Sequence, residues 1–380
     1  MTAVVIFALS AVYLLYILFG YPALLGWLAR RFAKPARRDG QPRTVSFIIA
    51  VRDGEAWIER KLRSIVSLDY PKHLMEIIVA SDGSTDGTER IAAAFPEHEV
   101  RVLPLPAAGK GAALNAAIQV ARNEILVLTD VRQDLEPESV AHLVSFYADP
   151  SVGAVSGELR IRSGATLEEE HVSLYRRYEN WIRSQLSALD SIFGATGSFY
   201  SMRRELAGAV PPDTLLDDMY LPLVEYFRGY RLLYENTAIA YDVPASLDNE
   251  FPRKLRTLAG NLQIMRMFPA LLSPRNRMLF HFLSYKFGRL LLPYAIIAAT
   301  VSAFWLPDPW RWPVVAAVMA FYACAALDIL LPDGFLLKKL TSAVRTFLVL
   351  MAADLCAIVV LFVPASKLWK PTQLRSAAQT

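Results

Sequence analysis

The sequence predicts an α/β domain with a doubly wound, mostly parallel sheet, joined to transmembrane α-helices at both ends of the chain. Three observations carry that prediction. Four short apolar runs alternate with helix-like segments between residues 44 and 130, the strand–helix rhythm of right-handed parallel connections. Three of those runs are followed at once by a turn bearing an aspartate. The composition is 54% hydrophobic, with a mean hydropathy of +0.30 over 380 residues, and the excess sits in the terminal segments.

Residues 2–29 contain no charged side chain, and about 20 apolar residues suffice to span a bilayer. Such a run is a cleaved signal peptide or a retained anchor. Its length and the lack of a small-residue cleavage motif favour the anchor. Further apolar runs cover 290–306, 312–331 and 343–363. The expected organisation is an anchor over 1–30, a polar domain over 44–262, interfacial helices over 263–289, C-terminal transmembrane helices over 290–364 and a tail over 365–380. Arg30, Arg31, Lys34, Arg37, Arg38 and Arg43 follow the first run. The positive-inside rule then puts the central domain in the cytoplasm of a multi-pass protein of the inner (plasma) membrane. Three terminal spans would place the tail outside, whereas Lys367, Lys370 and Arg375 favour the cytoplasm. Asp328 and Asp354 fall within or near the ends of the apolar runs, where charged residues are costly and often functional; the alternative for Asp328 is that it reaches water near Pro332. The two cysteines, Cys324 and Cys356, lie in apolar runs, with neither a disulfide framework nor metal-type spacing. The net charge of +4 reflects Lys and Arg flanking the membrane segments, which argues against nucleic-acid binding.

The polar domain opens with a buried-strand pattern from Thr44 to Val51, stopped by Arg52-Asp53-Gly54. Trp57, Ile58, Leu62, Ile65 and Val66 recur at helical spacing over 55–68. Ile77-Ile78-Val79-Ala80 forms an unbroken apolar run of the kind buried on both faces of a sheet. Ser81-Asp82-Gly83-Ser84 ends it, and a helix follows from Thr85 or Thr88 to Ala94, with Ser84 or Thr85 as its expected N-cap. Val100–Leu103 reads as a third strand, Gly109-Lys110-Gly111 leads into a helix over 112–121, and Glu124–Thr129 makes a fourth strand ending at Asp130. Asp53, Asp82 and Asp130 thus lie at equivalent strand ends. A turn or cap role accounts for any one of them, but their recurrence on one sheet edge points to a shared polar pocket, where open α/β sheets bind ligands. No G-x-G-x-x-G follows the first strand and no P-loop occurs, which argues against a dinucleotide and a P-loop nucleotide. Carboxylates on base or ribose donors, with Lys110 near a phosphate, suit another nucleotide.

Val79-Ala-Ser-Asp82-Gly-Ser-Thr-Asp-Gly-Thr88, Gly109-Lys110-Gly-Ala-Ala-Leu-Asn115 and the strand ending at Asp130 resemble the nucleotide-sugar half of family 2 glycosyltransferases. That family has the GT-A fold and includes membrane-bound cellulose, chitin and hyaluronan synthases. The resemblance runs from about 44 to 260 and implies inverting transfer of a sugar from a nucleotide-sugar donor to an acceptor hydroxyl. On its donor side it implies that Asp53, Glu55 and Asp82 hold the nucleoside, that Lys110 faces the diphosphate and that Asp130 serves a divalent cation, Mg or Mn. Phe193-Gly194-Ala-Thr196-Gly197-Ser198-Phe-Tyr200 resembles the acceptor-side motif, with Gly194, Thr196, Gly197 and Ser198 at the acceptor; a glycine-containing strand or bulge is the alternative. Asp217-Asp218 corresponds to the acidic pair ahead of a helix. By that match Asp218 is the catalytic base and Asp217 orients it, although adjacent acids also suit a helix N-terminus. Tyr175, Tyr178 and Trp181, on a helix expected over 167–186, read as packing aromatics.

Two departures matter. Where the family has Asp-x-Asp, this chain reads Asp130-Val131-Arg132, and a guanidinium cannot ligate a cation. Either Asp130 binds the metal together with diphosphate oxygens and water, or Arg132 itself neutralises diphosphate charge. Asp134 is a substitute ligand or a solvated loop residue. Processive members carry Gln-x-x-Arg-Trp where this chain has Arg253, Arg256 and Thr257. Arg253 and Arg256 then face either the donor diphosphate or the membrane surface. Loss of the tryptophan platform argues for one or a few additions. The expectation is a membrane-bound glycosyltransferase using a nucleotide sugar, UDP-linked in the first instance, on a lipid-linked or glycan acceptor in cell-surface or exopolysaccharide synthesis. Membrane lipids and export or polymerisation proteins are its expected partners, and nucleic acid is not. A processive synthase coupled to export is the rival, and a silent nucleotide-sugar sensor or export partner the rival of another class.

Overall fold

The computed structural model describes residues 1–161, 167–242, 250–332, 335 and 337–357, with side chains described for all of these except 167–175 and 250–254. The longer helices in chain order are α1 (Thr2–Phe32), α2 (Glu55–Val66), α3 (Thr88–Ala93), α4 (Lys110–Val120), α5 (Ser139–Ser145), α6 (Leu167–Leu189), α7 (Asp217–Phe227), α8 (Glu250–Met267), α9 (Leu292–Ala303), α10 (Arg311–Leu327) and α11 (Lys338–Ala357), with short turns of helix at Leu279–Phe282 and Gly288–Leu290. Two compact units result. An α/β unit holds Phe32–Arg162 and Arg183–Pro244, and a helical unit holds Met1–Arg31, Ser163–Ile182 and Ala245–Pro364.

The α/β unit is built on one eight-stranded sheet of β1 (Val45–Val51), β2 (Met75–Asp82), β3 (Val100–Leu105), β4 (Ile125–Thr129), β5 (Asp134–Leu135), β6 (Val152–Ile161), β7 (Phe199–Arg203) and β8 (Arg231–Asp242), in the order β3-β2-β1-β4-β7-β6-β8-β5. The expected β1–α2–β2–α3–β3–α4–β4 alternation is present, and its four strands are all parallel. Beyond β4 the sheet becomes mixed. β7 runs antiparallel to β4 and β6, β8 is parallel to β6, and the two-residue β5 is antiparallel to β8. Side chains alternate across a strand, so Val45, Phe47, Ile49 and Val51 enter one core cluster with Ile58, Leu62 and Ile65 of α2. Ile48, Ile78 and Ala80 are fully buried outside that cluster, and α4 packs on β1 and β2. Burial on both faces is why the first two strands read as unbroken apolar runs.

Several boundaries differ from expectation for identifiable reasons. α3 starts at Thr88, one of its two expected starts, but its N-cap is Gly87 rather than Ser84 or Thr85, because Asp86 takes the Thr88 N–H at 3.0 Å while Ser84 and Thr85 bond to Asp53. α4 begins at Lys110, two residues early, behind Gly109 at φ +93°, a conformation that favours glycine. The acceptor-like motif is a turn leading into β7, which starts at Phe199.

In the helical unit α1 includes a π-helical turn at Tyr16–Gly20. Its tyrosines reach the segment 281–288: Tyr13 donates to the Gly288 carbonyl at 2.7 Å, Tyr16 bonds Ser284 at 2.7 Å and Tyr21 lies 3.2 Å from His281 Nδ1. Among the described residues α1 alone is long and apolar enough to cross a membrane by length and composition. The three C-terminal apolar runs appear as α9, α10 and α11, and residues 358–380 lie outside the described residues. Of the two readings of Asp328, the one that reaches water does not hold. The residue is fully buried, 3.3 Å from Lys338 and 3.1 Å from Arg345, and accepts from Thr341 at 3.0 Å. A charge removed from solvent needs such partners.

Candidate active site

The site grows out of the turn after β2. Asp82, 5% exposed, accepts the backbone N–H groups of Ala108 and Gly109 at 2.8 and 2.9 Å. Gly83 has φ +65°, and a β-carbon there would meet Ala107 at 2.8 Å. Together they fix the 107–109 turn and so the place where Lys110 begins α4. A second clamp acts on the far side of that helix. Asn115 donates to the Val210 carbonyl at 2.9 Å and accepts the Val210 N–H at 2.8 Å, and Gly111 leaves room for Val210, whose Cγ1 would lie 3.1 Å from an added β-carbon. The segment leading into α7 is thereby laid along α4.

Lys110 Nζ consequently sits 3.0 Å from Asp130 Oδ1 and 3.4 Å from Asp217 Oδ2. Burial works against its charge, but Asp130, Asp217 and Asp218 outweigh that and hold its pKa above the ordinary lysine value. The acceptor-like loop lies against the same group. The Ala195 N–H donates to the Asp218 carbonyl at 2.8 Å. A β-carbon at Gly197 would meet Asp218 Oδ2 at 2.8 Å, and one at Gly194 would meet Met219 Cγ at 2.4 Å, so both glycines are explained by close approach. The Ser198 carbonyl accepts from Thr129 Oγ1 at 2.9 Å, while Ser198 Oγ is buried without a partner among the described residues. Thr196 Oγ1 takes Arg183 at 2.6 Å, and Arg183 also donates to Ser156 and the Gly194 carbonyl at 2.8 and 3.3 Å. Thr196 therefore braces the loop.

Other expected donor-side residues are placed differently. Asp53 Oδ1 accepts the Thr85 N–H at 2.7 Å, and Glu55 Oε2 accepts the Gly87 N–H at 2.9 Å. Both tie the turn after β1 to the turn after β2. Arg132 is not turned to the Lys110 group. It makes a two-pronged pair with Asp242 at 2.9 and 2.7 Å, a fork geometry that occupies the guanidinium. Asp134 is mostly buried and paired, with Arg60 Nε donating to its two oxygens at 2.9 and 3.1 Å. Arg256 lies on α8 in the helical unit, and the side chain of Arg253 lies outside the described residues.

The donor set bears on the expected cation. No trio of His, Cys, Asp or Glu among the described residues forms a ready-made cage. Asp130 is half-exposed, with Lys110 on one oxygen. A magnesium-type ion keeps its waters and takes phosphate oxygens beside one or two carboxylates. Asp130 fits that requirement and is the residue that would hold it.

Three residues with side-chain bonds around this site, Asp242, Arg183 and Lys61, have little or no mark in the sequence pattern. Asp242 follows the apolar run Ala238–Tyr241 and obeys the same strand-end rule as Asp53, Asp82 and Asp130. Arg183 carries no sequence signal. Lys61 had one: it shares the buried stripe of α2 with Trp57, Ile58, Leu62 and Ile65, where a lysine is out of place. It is 1% exposed, and burial pushes its pKa down to about 7 against the pull of Asp130 and Asp134. An unfolded lysine titrates near ~10.4, so between those two values the unfolded chain binds the extra proton and stability rises with pH. Below pH 7 the cost of the buried charge is fully present. Lowering the pH from about 10 to about 7 should destabilise the wild type relative to Lys61→Met by roughly 1.4 kcal/mol per pH unit, read from denaturation in micelles. A flat difference would contradict it.

Comparison with known proteins bears on family and fold. Residues 46–210 match the family described as Glycosyl transferase family 2. A poly-beta-1,6-N-acetyl-D-glucosamine synthase of Staphylococcus epidermidis is 25% identical over 230 residues, 58% of this chain and 55% of that protein. The probable glycosyltransferase YdaM of Bacillus subtilis is 26% identical over 268 residues, 67% of this chain and 64% of that one. The chain thus spans little more than half the length of the synthase. The solved mannosyltransferase PcManGT of Pyrobaculum calidifontis, in complex with GDP-Man and Mn2+, has a TM-score of 0.74 at 24% identity, covering 94% of this chain and 99% of that one. That likeness is one of fold, of the GT-A type.

Proposed function

We propose, from the premise that residues 46–210 are a glycosyl transferase family 2 domain, that this chain is a membrane-bound inverting transferase. It moves a sugar from a nucleotide diphosphate donor to an acceptor hydroxyl on a lipid-linked or glycan acceptor. The observation that carries this reading is the convergence of Asp130, Asp217 and the Gly194–Ser198 loop on Lys110 and Asp218. The acceptor oxygen forms its bond to the anomeric carbon as the bond from that carbon to the diphosphate oxygen breaks. The Asp218 carboxylate takes the hydroxyl proton, and the electron pair leaves on the diphosphate. Lys110 offsets the charge that develops there, which fixed cations do without reorganisation. A divalent cation held by Asp130 would supply further positive charge on the diphosphate. Attack opposite the leaving group inverts the anomeric centre. α1 and the C-terminal helices anchor the chain in the inner membrane, with the α/β unit in the cytoplasm.

The donor is open between UDP and GDP sugars, since the GDP-Man ligand belongs to a neighbour that matches in fold alone. The purified chain in micelles should therefore be screened against UDP-N-acetylglucosamine, UDP-glucose and GDP-mannose for released nucleotide diphosphate, with and without chelator. Release from one donor, lost on chelation, supports the reading. Release from none would sink it, and undiminished release in chelator would remove the cation. Processive synthesis is the second reading, favoured by the synthase among the relatives. Thr257 in place of the tryptophan platform counts against it, and product length separates the two.

A further inference from the structure

We infer that Lys61 is a positioning residue that sets the Asp130 turn against the acceptor-side loop through Thr129, an inference that rests on the function proposed above. The geometry is a buried three-part relay. Lys61 Nζ donates to Thr129 Oγ1 at 2.6 Å and to the Gln133 carbonyl at 2.7 Å. Those two acceptors stand at either end of the 129–133 turn, which carries both Asp130 and Arg132. Because Thr129 Oγ1 accepts from Lys61, its single proton is directed onward, to the Ser198 carbonyl at 2.9 Å in preference to the Asp130 carbonyl at 3.5 Å. The Asp130 N–H lies 3.4 Å from the same carbonyl.

The relay therefore joins α2, the end of β4 and the loop that rests on Asp218. A hydroxyl has one proton to give, and with Lys61 donating to the Thr129 oxygen that proton is held toward the loop. Lys61 supplies that donor, and its nitrogen keeps two N–H groups in either protonation state. Apolar side chains at 57, 58, 62 and 65 surround it on α2. A lysine placed in such a stripe is costly, and its two hydrogen bonds lead to the site and nowhere else. Small displacements at a reacting centre cost large factors in rate.

The test is a cycle of Lys61→Met, Thr129→Val, the double variant and Thr129→Ser in the full-length chain. Rates are taken with the donor that wild type uses in the screen, and hydrogen exchange is followed across all variants without ligand. Lys61→Met and Thr129→Val should each lower kcat about 10- to 100-fold with KM nearly unchanged, and the double variant should be no worse than the poorer single. Thr129→Ser, which keeps the hydroxyl, should restore kcat. Exchange should quicken in both 129–133 and 194–200 in Lys61→Met and stay as in wild type across β2. Additive losses, a wild-type kcat in Lys61→Met, or faster exchange in 129–133 alone would overturn the relay. If wild type uses no donor, the proposed function fails, while the exchange result still decides the relay. Should Lys61→Met not fold, Thr129→Val against Thr129→Ser carries the same comparison.

Discussion

Asp218→Asn should bind the nucleotide as wild type does and fail to transfer sugar, with kcat lower by about 10³-fold, within the range that a positioned general base contributes. Asparagine keeps the shape of the side chain and so its packing against Gly197, where an added β-carbon would meet Asp218 Oδ2 at 2.8 Å. What it loses is the lone pair able to hold a proton. The backbone link from Ala195 to the Asp218 carbonyl is untouched by the change. Loss of a first-turn carboxylate at the start of α7 costs only about 0.3–1 kcal/mol, so the variant folds. Asp217→Asn is the matched control. Asp217 is 8% exposed and faces Lys110, so its loss should weaken both nucleotide binding and turnover. Calorimetric titration with UDP and GDP, beside turnover, separates the two. Wild-type turnover in Asp218→Asn would take that residue out of the reaction.

How far the site was legible follows from what kind of information each residue carries. Asp82, Lys110 and Asp130 declared themselves because a strand that is apolar throughout and stops at an acid marks its own end, and because glycines flank the places where backbone must turn or approach. The parallel half of the sheet was readable for the same reason. β8 went unread because its run is broken by Glu235, Asn236 and Thr237, of which Glu235 is buried and pairs with Arg38 at 2.7 Å. β5 has two residues, too few for any period to show. The pairing of Arg132 is not legible locally because its partner, Asp242, lies 110 residues away. Pairing across that distance is decided by sheet order, which no local pattern encodes. The same holds for Arg183, whose three acceptors come from β6 and the loop before β7.

Lys110→Met should reduce kcat/KM by about 10²–10³-fold, the scale of removing one preorganised charge from a developing anion. Unlike Asp218→Asn, it should also weaken UDP and GDP binding, because the diphosphate loses its fixed cation. Lys110→Arg should recover part of the binding and little of the rate, since a planar fork does not place its charge where an ammonium does. The stability effect has a sign that can be worked out. In wild type one ammonium lies between Asp130 and Asp217, with Asp218 close enough to act on it. Without it three carboxylates face one another, and their repulsion is present only while they are ionised. The variant should therefore be least stable relative to wild type near neutral pH and recover as acid neutralises the group, with raised salt helping at neutral pH through screening. A merely space-filling role for Lys110 predicts a deficit that neither acid nor salt repairs, and denaturation midpoints of the two proteins across pH distinguish these outcomes.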